Sequence, residues 1–168
     1  MPVVLRSQSR KKKTVLTKQN KLDDVSRCWK SAIDYLSRRE HSRLELKRKL
    51  QLKPFSESVD LEGLLDRLLE SNYQSDERYA ESFVRSRIIK GQGENKIRQQ
   101  LLQRGVDSRL ADRSIQEADV NWWDLAEKQR EKRFGEAYPV GRDAQAKQSR
   151  FLLSRGFPSY IVREVTQA

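Results

Sequence analysis

Shifted by 51 residues, the chain lies over itself at the points where helices begin and end. Leu101-Leu102 falls on Leu152-Leu153, Arg104-Gly105 on Arg155-Gly156 and Lys96 on Lys147, while the preceding step lays Glu45, Leu46 and Leu50 on Lys96, Ile97 and Leu101. Asp107-Ser108 meets Pro158-Ser159, so the following helix start is kept as well. Nine helices in three copies of a three-helix unit are the simplest account. A unit of roughly 40–50 residues buries too little apolar surface by itself, so neighbouring units should share core and stack into an elongated array. The expected fold is all-α: three tandem three-helix modules over residues 22–72, 73–119 and 120–168, behind a flexible basic N-terminal arm over residues 1–21.

Local signals agree with helices. Only 7 glycines and 4 prolines occur in 168 residues, which argues against a loop-rich β-sandwich or barrel. Val25, Trp29, Ile33 and Leu36 form an amphipathic stripe that opens near Asp24. Ser42 with Glu45 is a capping box for a second helix, which stops before Pro54. Leu61, Leu64, Leu65, Leu68 and Leu69 define a third, and Ser75 can cap a fourth bearing Tyr79, Ala80, Phe83, Val84 and Ile88. Gly93 precedes a fifth that Gly105 ends in a left-handed cap. Asp107 or Ser108 opens a sixth, Asn121 a seventh ending at Gly135, Asp143 an eighth ending before Gly156, and Ser159 a ninth.

Charge is unevenly placed. Lys and Arg number 35 against 24 Asp and Glu, a formal net charge of +11. Residues 1–21 hold seven of the cations and no acid, leaving +4 for the rest. That first stretch, with Arg10, Lys11, Lys12 and Lys13 at its centre, is either a phosphate-attracting arm or a solubilising tail. Beyond it the sign alternates: residues 37–55 carry seven cations to two acids, and 56–77 one to seven. Residues 78–106 then carry seven to two, 107–124 two to five, and 125–155 eight to four. Alternation has two readings, a basic stripe along one side of the body or salt bridges between neighbouring helices.

Enzyme chemistry has little to work with. His41 is the single histidine and is read as an exposed residue at a helix start. Cys28, the single cysteine, is read as a small core residue, which excludes an internal disulfide or a cysteine zinc cage. Asp23-Asp24 and Asp76-Glu77 sit at helix starts, where the macrodipole favours negative charge. Gly91-Gln92-Gly93 lacks a third glycine and a preceding strand, and no P-loop occurs. No catalytic residue, metal ligand or cofactor site is expected. No apolar run approaches a membrane span, and a soluble, intracellular protein is expected.

Binding is better supported. Arg38, Arg39, Arg43, Lys47 and Arg48 crowd the first module, and Arg85, Arg87, Lys90, Lys96, Arg98 and Arg104 the second. Arginine forks suit phosphate or carboxylate, so the partner should be acidic. Trp29, Trp122, Trp123, Tyr79 and Phe83 occupy apolar positions and are read as core rather than as base-stacking platforms.

The stretch Tyr73–Val106, YQSDERYAESFVRSRIIKGQGENKIRQQLLQRGV, resembles the signature of the RecX family, regulators of the bacterial recombinase RecA. Asp76, Arg78-Tyr79-Ala80, Phe83, Arg87, Gly91, Gly93, Ile97, Leu101 and Arg104-Gly105-Val106 fit its pattern. Arg39-Glu40-His41-Ser42 with Glu45-Leu46 and Lys49-Leu50 resembles the first module, and 119–135 and 150–157 the third. Gln74-Ser75 stands where the family favours a hydrophobic residue and an acid. The resemblance implies a cytoplasmic, cofactor-free inhibitor, expected as a monomer. It would bind in the groove of the RecA–DNA filament, block its extension and suppress ATPase, strand-exchange and coprotease activity. The eleven cations of modules one and two would carry that contact, with Arg10–Lys13 as accessory. The alternative is a direct single- or double-stranded DNA-binding protein that competes with the recombinase for DNA.

Overall fold

A computed structural model describes residues 5–167, with side chains from Asn20 onward. Among the described residues there are nine helices and no strand: α1 Leu5–Arg38, α2 Arg43–Gln51, α3 Leu61–Glu70, α4 Asp76–Ile89, α5 Glu94–Gln103, α6 Ser108–Glu117, α7 Trp122–Phe134, α8 Arg142–Arg155 and α9 Ser159–Thr166. They divide into two compact units, Met1–Ser75 and Asp76–Ala168.

In the first unit, α1 begins at Leu5 rather than near Asp24, so it runs through the segment expected to be a flexible arm. From Val3 to Lys53 there is neither Gly nor Pro, and the segment's Lys, Arg, Gln and Leu are good helix formers. The lack of an apolar stripe does not lower helix propensity. The side chains of Arg10, Lys11, Lys12 and Lys13 lie outside the described residues. Where α1 does pack, the innermost residues are the small Cys28 and Ala32, each fully buried against Leu46 and Leu50 of α2 and Leu64, Leu65 and Leu68 of α3. Trp29, Ile33 and Leu36 flank this core half-buried, because small residues at the seam let the helix axes approach. Ser42 accepts from the Glu45 amide at 3.1 Å, the expected cap.

In the second unit, two apolar cores lie side by side. Tyr79, Ala80, Phe83, Val84, Ile97, Leu101, Val106, Ala111 and Ile115 fill that of α4–α6. Ala126, Leu152, Phe157, Ile161, Val162 and Val165 fill that of α7–α9, and Trp122 packs against both. Trp123, expected in the core, is 42% exposed instead, its indole donating to Glu164. The 51-residue repeat becomes a repeated helix ending. Val106 N–H donates to Leu101 O and Phe157 N–H to Leu152 O, each at 3.2 Å, with Gly105 and Gly156 at φ 79° and 92°.

The two endings differ in what they meet. Gly93 N–H donates to Arg155 O at 2.9 Å and Asn95 N–H to Gly156 O at 3.1 Å. Lys96 Nζ donates to Ser154 O, and Arg155 Nη1 to Lys90 O, both at 2.9 Å. The open amides at the start of α5 thus satisfy the open carbonyls at the end of α8, positive helix end against negative. That approach needs bare backbone: a Cβ on Gly93 would fall inside contact distance of the Gly156–Phe157 peptide. In α7, Arg130 is 1% exposed and donates to the carbonyls of Gly135, Glu136 and Ala137 at 3.1–3.3 Å, so this cation pins the following turn.

Candidate cationic interface

In the first unit most of the nominated cations are held from within. Arg38 reaches Asp34 at 3.1 Å, and Arg39 forms a bidentate pair with Glu45 at 2.6 and 3.1 Å. Burial alone would raise the Glu45 carboxyl, but the Arg39 guanidinium holds it below its ordinary range. Arg43 bridges α2 to α3 through Glu62 at 2.7 Å and Asp66 at 2.8 Å, and Lys47 grips the same Glu62. Hydrogen bonds from Lys47 and then Arg43 pull the Glu62 carboxyl down. Arg48 is exposed on α2 and takes part in no ion pair among the described residues.

The second unit repeats the arrangement. Arg98 of α5 holds Asp112 of α6 at 2.6 and 3.3 Å and lowers its carboxyl by that hydrogen bond. Arg113 of α6, which the sequence reading passed over, reaches Glu77 of α4 at 2.6 Å. Arg87 and Arg104 lie 4.4 and 4.8 Å from the centre of the Phe83 ring, and Lys96 is committed to Ser154. Arg85 and Lys90 remain exposed. Arg85 lines a groove of about 480 Å³ between α4 and α6, with Ile88 and Ile89. Salt bridges between neighbouring helices therefore take up Arg43, Lys47, Arg98 and Arg113 from the alternating charge blocks, and the cations left outward are fewer than the sequence count.

Of two further features, the first reverses an expectation from the sequence and the second was not foreseen from it. His41 is 2% exposed, not a surface residue. Lys49 Nζ lies 2.9 Å from its Nε2, and the Arg39 carbonyl lies 3.0 Å from its Nδ1. An ammonium can only donate, so Nε2 accepts, the proton sits on Nδ1, and the ring is neutral. Burial, the main cause, holds its pKa below 6.5, helped by the Arg39 and Lys49 charges and opposed by the Arg39 carbonyl and Glu45. Gln74, at the position of family departure, is buried and donates to the His41 carbonyl at 3.2 Å.

The second feature is a shallow cavity of about 330 Å³ lined by Arg27, Lys30, Ser31 and Asp34 with Tyr35, Lys53 and Phe55. Arg27 Cζ lies 4.4 Å from the Phe55 ring centre, and Lys49 and Lys53 Nζ lie 4.7 and 5.5 Å from that of Tyr35. The i, i+3 pair Arg27/Lys30 was visible in sequence. What hid the cluster was Lys53-Pro54-Phe55, whose return to α1 no local signal announces.

Among the described residues no group of three His, Cys, Asp or Glu side chains could hold a metal ion, and no helix is long and apolar enough to cross a membrane. Fold and surface define a class: helical proteins of tandem three-helix modules, bridged internally by ion pairs, with a residue of outward cations. The profile of RecX's first three-helix domain matches residues 28–59, its second 75–115 and its third 119–166. The regulatory protein RecX of Pseudomonas putida is 40% identical over 133 residues, 79% of this chain and 85% of its own length. That of Vibrio campbellii is 41% identical over 127 residues, 76% and 81% of the two chains. The crystal structure of RecX from Lactobacillus salivarius superimposes with a TM-score of 0.72 at 25% identity, covering 86% of this chain and 95% of that one. The chain belongs to the RecX family of regulatory proteins.

Proposed function

We propose that this chain is a non-enzymatic negative regulator of the RecA recombinase, acting in the cytoplasm as a monomer without a cofactor. It seats in the groove of the RecA–DNA filament, blocks extension and suppresses ATPase, strand-exchange and coprotease activity. The observation that carries this reading is the match of all three RecX domains, in order, to helical segments that each have an apolar core. Module limits at 22–72, 73–119 and 120–168 belong to the same proposal. Several modest contacts on one chain add through effective concentration, which suits a repeating filament. Exposed Arg48, Arg85 and Lys90 supply cations for DNA phosphates or acidic subunit surfaces.

The net charge of +11 favours a second reading, direct competition for DNA. Stoichiometry separates them. A filament regulator inhibits RecA ATPase on single-stranded DNA when it is far scarcer than nucleotides. Inhibition that appears only as the protein saturates the DNA would favour competition and remove the filament reading.

A further inference from the structure

We propose that the depression between α1 and the α2–α3 connection is a site for single-stranded nucleic acid, with Arg27, Lys30 and Lys53 on phosphates and the Arg27–Phe55 stack beneath a base. The inference deepens the proposed role at a nucleoprotein filament and takes its setting from it.

Charge is the first argument. Three cations line the cavity against a single lining carboxylate, Asp34, which Arg38 already holds at 3.1 Å. Asp24 stands 3.6 Å from Arg27, but it also accepts the Ser58 hydroxyl at 2.7 Å, and the Arg27 side chain remains 62% exposed. Lys30 is exposed and forms no ion pair among the described residues. This contrasts with the α2 face, where Glu62 and Asp66 neutralise Arg43 and Lys47. A phosphate at Arg27, Lys30 and Lys53 gains cations without displacing an internal bridge that holds the fold.

Ring geometry chooses among polyanions. Half-buried Tyr35 and Phe55 place cations over their faces, so Arg27 offers a flat, oriented cation rather than a loose one. A base stacks on such a plane and its phosphate meets the rim lysines, whereas an acidic peptide would use the rim alone. About 330 Å³ is at the small end of ligand-sized cavities, room for one nucleotide of a flexible strand. A duplex keeps its bases stacked and cannot present one here.

The test uses the full chain and a labelled oligothymidylate, with affinity measured by anisotropy from about 50 to 200 mM salt. The double variant Lys30→Glu/Lys53→Glu should bind at least ~10-fold more weakly and lose roughly 1.4 units of salt slope, two contacts at about 0.7 each for a single strand. Lys132→Glu/Arg133→Glu, an equal charge change on α7, should leave the slope unaltered. Arg27→Lys, which keeps the charge but not the plane, should weaken binding several-fold at unchanged slope. Equal losses in both glutamate pairs, or poly-glutamate competing as well as oligothymidylate, would overturn the proposal. Should the glutamate pair fail to fold by circular dichroism, Lys30→Gln/Lys53→Gln replaces it, and an unchanged slope there overturns the proposal equally. The same preparations are assayed on RecA ATPase. A wild-type chain that fails to inhibit removes the regulatory reading, while the oligonucleotide slopes still decide the site.

Discussion

Gly93→Ala isolates the junction between α5 and α8. Gly93 has φ −81° and ψ 162°, ordinary extended backbone, so alanine there carries no dihedral strain and only contact matters. Its Cβ would overlap the carbonyl carbon and oxygen of Gly156 and the amide of Phe157, main-chain atoms that no rotamer change can move. Relief requires the end of α8 to retreat, which breaks Gly93 N–H to Arg155 O and Asn95 N–H to Gly156 O. Two such bonds contribute about 0.5–1.5 kcal/mol each, and overpacking costs about 1–3 kcal/mol more, so the loss is about 2–6 kcal/mol. In a unit the size of Asp76–Ala168, about 4–8 °C per kcal/mol makes the fall in Tm at least ~8 °C. Gly63→Ala is the comparison. There the obstructing atoms belong to the Asp60 side chain, which caps α3 by accepting the Gly63 amide at 3.1 Å and can turn aside. The loss of that cap, about 0.5–2 kcal/mol, is offset by about 1 kcal/mol of helix propensity, so the net change is small. Thermal melts by circular dichroism and hydrogen exchange at the Gly93 and Asn95 amides read both effects. A Gly93→Ala melt within ~2 °C of wild type, with both amides still protected, would refute the argument.

Arg43→Ala and Glu62→Ala should each lower the melting temperature of the first unit. The double variant should lose less than the sum of the two, since both remove the shared Arg43–Glu62 bridge while Arg43–Asp66 and Lys47–Glu62 are lost separately. Full additivity in the double-mutant cycle would show that the bridge contributes nothing. His41 binds its proton more weakly folded than unfolded, so its contribution to stability is complete above pH 6.5 and is lost as pH falls below that value. Urea midpoints should therefore drop from about pH 7.5 to about pH 5.5 in wild type and less so in His41→Gln. Glu45, held low by Arg39, titrates below that window, and an equal drop in both proteins would assign the effect elsewhere.

Helix ends were the most legible part of the chain. Ser42, Asp107 and Asn121 cap as read, and Gly105 and Gly156 take the left-handed turn, because these are preferences of one residue for its own backbone and nearest amides. The family signature was legible for the same reason: it is built largely of cap glycines and core leucines at constant spacing. Readings that concern a side chain's surroundings fared less well. His41 was placed at the surface and is buried, and Trp123 was placed in the core and is 42% exposed. Helical periodicity reports which face a residue occupies, not whether another element covers it.

The cations show the division most sharply. Composition and order determined that positive and negative blocks alternate, and therefore that neighbouring helices could neutralise one another. Tertiary structure decided which did. Glu62 takes both Arg43 and Lys47, Asp112 takes Arg98, and Arg130 leaves the surface altogether, while Lys53 comes round to join Arg27 and Lys30 on α1. An ion pair depends on separation in space to within a few ångströms, and that distance is set by packing of apolar faces far apart in sequence. The sequence alone thus determined an all-α repeat with its caps and its total charge. Which charges remain available to a partner was decided only when the helices packed.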